Sequence, residues 1–131
     1  MTTEMIVLCL SVVLGFVHLV LATGAATKVY GIKWNLSSRG ETKPPLQGMA
    51  GRLGRAFENF KETFPFFLAS VFALQFFGKN STTSAWGAEI YLCARVLYLP
   101  IYAFDVTIVR TLLWLISCVG ILIILGTAMV G

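Results

Sequence analysis

Four polar side chains, Arg52, Arg55, Asn59 and Glu62, follow one another at steps of three, four and three residues. On a helix that spacing stacks them along one face, so cations, an amide and a carboxylate are presented together. Arg95, Tyr98 and Tyr102 repeat the pattern at steps of three and four and add two phenols. Arg110 is followed one turn later by Trp114. Such groups converging at one place suit a small, charged, peptide-like ligand. The same residues have a plainer use. Arg52, Asn59, Glu62, Arg95 and Glu89 can serve as polar glue between helices, Arg110 beside Asp105 as an interfacial anchor, and Tyr98, Tyr102 and Trp114 as an aromatic belt.

The segments that must position these residues are apolar. Of the 131 residues, 57% are hydrophobic and 12% are charged, far from the quarter or so charged in soluble domains. The composition places the chain in an all-α integral membrane class, with four spans at approximately 5–27, 51–77, 85–104 and 110–130 forming one domain over 1–131. The stretch 28–47, with Gly31, Ser37, Ser38, Gly40, Pro44 and Pro45, reads as the longest exposed loop. No basic n-region or small-residue cleavage site marks a signal peptide, so the first apolar segment is expected to stay as an anchor. An ionised side chain in hydrocarbon costs at least about 2.5 kcal/mol. The polar stripes must therefore face protein or a wet cavity, and Arg55 is expected to pair with Glu58 or Glu62. His18 reads as an interhelical hydrogen-bonder, Pro65 and Pro100 as kinks, and Cys9, Cys93 and Cys118 as small buried hydrophobes without metal-ligand spacing. No metal is expected.

The net charge of +4 is read as topology signal and site chemistry, with no nucleic-acid partner. Lys28, Lys33, Arg39, Lys43, Arg52 and Arg55 cluster after the first span, whereas the next turn holds only Lys79. The positive-inside rule makes the first and third loops cytoplasmic and puts the termini on the opposite side. The charged half of the second helix and the start of the fourth then meet at one membrane depth.

The run from Arg55 to Pro65, with Arg55-Ala56, Asn59, Glu62 and Pro65 at fixed spacing, resembles the second-helix signature of the MAPEG family, the membrane-associated proteins in eicosanoid and glutathione metabolism. Arg95 with Tyr98 and Tyr102, then Arg110, is similar to that family's third helix and its entry to the fourth. The likeness covers essentially the whole chain and is of the bacterial type. It implies a left-handed four-helix bundle assembled as a homotrimer, with glutathione as co-substrate on the cytoplasmic side and lipids or lipophilic small molecules as further partners. Carried over by the motif, Arg55, Asn59, Glu62, Arg95, Tyr98 and Tyr102 would hold the tripeptide, and Arg110 would activate its thiol. The activity implied is a glutathione-dependent transferase or peroxidase acting on lipophilic electrophiles. Phe57 and Glu58 depart from the pattern of several members, and Glu58 would repel an anionic tripeptide if it faced the site. That departure favours the alternative, a non-catalytic lipid-binding or accessory membrane protein of the same fold. A proton pathway through Glu62 and Glu89 lacks a continuous relay.

Overall fold

Long apolar runs bounded by capping residues make this chain helical. The computed structural model describes residues 1–38, 40 and 43–130, and no strand occurs among them. Five helices follow in order: α1 (Thr3–Tyr30), α2 (Ile32–Leu36), α3 (Gly48–Phe76), α4 (Thr82–Ala103) and α5 (Thr107–Val130). The four long ones coincide with the four expected segments to within about a turn. The stretch 28–47 departs from expectation, because α1 continues through Lys28 to Tyr30 and α2 occupies part of the remainder. Arg39, counted above among the loop cations, lies outside the described residues. Two helices, α1 and α5, are long and apolar enough to cross a membrane, with mean hydropathies of 2.7 and 2.5. Both α3 and α4, which carry the polar stripes, run uninterrupted through Pro65 and Pro100.

Local chemistry fixes where the helices begin and end. The Thr2 side chain accepts from the Met5 N–H at 3.3 Å to start α1. Ser81 and Ser84 form a reciprocal capping box that starts α4. The ends of α3 and α4 close in the same way. Lys79 N–H donates to Leu74 O and Gly78 N–H to Gln75 O, while Val106 N–H donates to Ile101 O and Asp105 N–H to Tyr102 O. Both are Schellman motifs, whose central residue must be left-handed. Gly78 meets that need freely at φ 66°, but at the α4–α5 turn the position is filled by Asp105 at φ 63°.

The closest helix pairing is α4 with α5, and glycine makes it possible. A Cβ on Gly120 would lie 2.6 Å from the Gly87 carbonyl oxygen and 2.8 Å from the Tyr91 nitrogen, so the two backbones touch. Tyr91 in turn stacks on Phe67 of α3 with ring centroids 4.0 Å apart, inside a core that includes Val7, Val71, Leu74 and Ile124. At the α4 start, Ser84 donates its hydroxyl to the buried carboxylate of Glu4, tying α1 to α4. This packing brings the first half of α3, the second half of α4 and the first turns of α5 together, and the polar stripes sit there.

Candidate functional site

Arg95 is the centre of the site and is wholly buried. Its Nη1 donates to Asn59 Oδ1 at 2.8 Å, bridging α4 to α3. The guanidinium carbon stands 4.2 Å from the Tyr98 ring centroid and 5.7 Å from that of Phe60, so aromatic faces partly solvate its charge. Its Nε and Nη2 have no hydrogen-bond partner among the described residues.

One turn further along α4, Tyr102 lies between two more arginines. Arg55 Nε donates to its hydroxyl at 3.3 Å, and the Arg110 guanidinium carbon stands 4.5 Å from its ring centroid. The ring of Tyr98 is 5.5 Å away. Arg52 Nε donates to the Ala103 carbonyl at 2.7 Å, which satisfies one of the carbonyls left open at the end of α4 and sets a cation against its negative pole. Buried Ala56 leaves room for this convergence by packing against Tyr98 and Tyr102.

Two concavities open at the site. Asn59, Tyr98, Arg110, Thr111 and Trp114 line a polar pocket of about 220 Å³. Between α3 and α5 lies an apolar cleft of about 390 Å³, walled by residues that include Glu62, Phe66, Trp114, Cys118 and Leu122. Trp114 belongs to both walls.

Of the residues singled out from the sequence, Arg55, Asn59, Arg95, Tyr98, Tyr102 and Arg110 are joined by contacts to one another. Glu62 stands apart on the wall of the apolar cleft and is exposed. The expected pairing of Arg55 with Glu58 or Glu62 does not occur, since Arg55 reaches Tyr102 and Glu58 pairs with Lys61 at 2.7 Å. That i,i+3 pair is solvent-facing, and Phe57 lies beneath the same Lys61 ammonium and beside His18. Glu58 and Phe57, the two departures from the family pattern, therefore look away from Arg95 and Tyr98.

Two other expectations are corrected. His18 is buried, but its ring stacks on Phe60 at 4.9 Å and neither of its nitrogens has a hydrogen-bond partner among the described residues. Cys9 and Cys93 are exposed and Cys118 is half-buried, so none is a core hydrophobe. Tyr91 and Thr111 were not singled out from the sequence, and Cys118 was expected in the core rather than on the wall of the apolar cleft. A signal existed: Tyr91, Arg95, Tyr98 and Tyr102 fall at steps of four, three and four, and Arg110, Trp114 and Cys118 at two steps of four.

A family model described as the MAPEG family matches residues 6–130. The chain belongs to the MAPEG family. No individual curated protein matches closely enough to be named beside it. MAPEG membership, with the two long apolar helices, makes this a membrane protein. The MAPEG match also spans every residue of the polar cluster, from Arg52 to Trp114.

Proposed function

We propose that this protein is a glutathione-dependent transferase or peroxidase acting on lipophilic electrophiles. The observation that carries the reading is the polar pocket in which Arg110, Tyr98 and Asn59 share a wall with Trp114, and through it adjoin an apolar cleft. An anionic tripeptide needs fixed cations and amide or phenol hydrogen bonds, whereas its electrophilic partner needs an apolar compartment beside it. A thiol with a pKa of about 8.5 is mostly protonated at neutral pH, and a nearby cation favours the thiolate. Arg110 supplies that cation. Its half-buried guanidinium lies on the Tyr102 ring, a placement suited to a planar group that stays charged. Asn59 and Tyr98 position the ligand, with Arg95 holding both from behind.

The same reading extends to assembly and topology. Arg55, Glu62 and Glu89 are exposed on single-chain helices, and leaving such charges against lipid costs at least about 2.5 kcal/mol each. A homotrimer of four-span subunits, as the family resemblance implies, would cover them and complete the thiol site from a neighbour. Positively charged Lys28, Lys33 and Lys43 put that site on the cytoplasmic face.

A second reading, a lipid-binding accessory protein without catalysis, draws on the apolar cleft, which is larger than the polar pocket. Conjugation of glutathione to a small aromatic electrophile by the purified protein, compared with Arg110→Leu, separates the two. Turnover that falls with the substitution supports the enzyme; absence of turnover at millimolar glutathione, with retained lipid binding, supports the accessory protein.

A further inference from the structure

We propose that α2 and the last turn of α1 form a platform at the membrane interface that binds anionic phospholipid headgroups. Although α2 has only five residues, it turns two large apolar side chains outward. Ile32 is 69% and Leu36 82% exposed, and their i,i+4 spacing puts both on one face. Val29, on the last turn of α1, is 61% exposed. Lys28 and Lys33 are exposed as well, each within one turn of the bend at Gly31. Apolar groups flanked by cations suit an anionic bilayer surface, with the side-chain hydrocarbon below the phosphates and the ammonium groups among them.

The platform is pinned in place by its other face. Gly31, at φ 98°, turns the chain out of α1 while its N–H still donates to Thr27 O at 2.7 Å. Asn35 Nδ2 then donates to Thr27 Oγ1 at 2.5 Å and ties α2 back to α1. The rings of Tyr30 and Trp34 pack with centroids 4.7 Å apart, and the Tyr30 hydroxyl donates to the Pro44 carbonyl. Trp34 and Asn35 are half-buried by these contacts, so Ile32 and Leu36 are held outward. Beside them a hollow of about 490 Å³, with Val29, Lys43, Pro45 and Leu46 on its walls, continues the surface.

The depth of the platform follows from α1. That helix has 28 residues and spans about 42 Å, against about 30 Å of hydrocarbon, and its charge-free run ends at Thr27. Where α1 crosses the membrane, its last turn and α2 therefore stand at headgroup level, the depth that Tyr and Trp favour. Charge selects the occupant. Residues 28–47 contain four cations, Lys28, Lys33, Arg39 and Lys43, and one acid, Glu41. A second copy of the chain would bring the same positive segment, whereas an anionic phospholipid brings the complementary charge. This inference needs only that α1 crosses the membrane, so it and the glutathione reading can fail separately.

The test uses the full chain in nanodiscs of phosphatidylcholine, alone or mixed with phosphatidylglycerol, and reads amide hydrogen exchange at residues 32–37. Each lysine at an anionic surface contributes about fivefold, so docking should slow exchange of these amides at least about tenfold when phosphatidylglycerol is present. High salt should erase the difference. Lys28→Gln/Lys33→Gln should remove most of it. Ile32→Ser/Leu36→Ser keeps every charge but has no apolar face to insert, and should exchange fast in both discs; circular dichroism checks that both variants are folded. Equal exchange in the two discs overturns the proposal, and equally slow exchange assigns the face to a second copy of the chain instead. Protection that survives either double substitution overturns it as well.

Discussion

Substituting Gly120 by alanine adds one carbon where α4 and α5 touch. That carbon would sit 2.6 Å from the Gly87 oxygen and 2.8 Å from the Tyr91 nitrogen. Both are backbone atoms, so no side chain can swing aside. Restoring a tolerable 3.4 Å contact requires the helices to part by about 0.8 Å, the difference between 3.4 and 2.6 Å. Overpacking of this kind costs about 1–3 kcal/mol, because neighbouring contacts open as the pair separates. Gly126 on the same helix provides the control, since its Cβ would meet nothing within 4 Å. There alanine should stabilise by up to about 1 kcal/mol through helix propensity alone. Unfolding in mixed micelles, followed by circular dichroism, should move the two midpoints in opposite directions. The α4–α5 seam also carries Tyr102 against Arg110, so Gly120→Ala should weaken ligand binding where Gly126→Ala does not. Matching midpoints for the two variants would refute the claim that direct backbone contact holds this seam.

Other substitutions probe the site and its supports. Arg110→Leu should leave glutathione affinity within about tenfold yet lower conjugation about a hundredfold, the scale of one lost electrostatic donor, as read from steady-state kinetics. Asn59→Ala removes the one acceptor of Arg95 among the described residues, so it should cost about 1–3 kcal/mol of stability as well as weakening binding measured by calorimetry. His18→Leu removes a buried ring whose nitrogens have no partner among the described residues, and its unfolding midpoint should be no lower than that of the unsubstituted protein. Asp105→Gly should stabilise by up to about 1 kcal/mol by relieving the left-handed backbone at φ 63°, whereas Asp105→Val should destabilise in the same unfolding assay.

The helices were legible because their signals are local. Charge-free runs announced α1 and α5, and steps of three and four aligned Arg52, Arg55, Asn59 and Glu62 on one face of α3. Partner choice was not legible, because it depends on which helix that face meets. Arg55 had acidic neighbours one and two turns away in sequence, yet the α4 terminus offered the Tyr102 hydroxyl and the competing Lys61 took Glu58. Asn59 likewise serves Arg95, 36 residues away. The role of Glu4 was hidden for the same reason. It precedes the charge-free run that begins at Met5, and only the fold brings Ser84 to it. Gly87 and Gly120 carry no mark in the sequence that separates them from Gly126, and their importance is a property of the crossing.

The pocket of Asn59, Tyr98 and Arg110 is proposed to bind glutathione and to hold its sulfur as a thiolate. Ultraviolet difference absorbance of the purified protein titrated with glutathione at neutral pH measures this directly. A thiolate band is expected that saturates with glutathione and disappears in Arg110→Leu while binding persists. Bound glutathione without a thiolate band in the unsubstituted protein, or an undiminished band in Arg110→Leu, would contradict it.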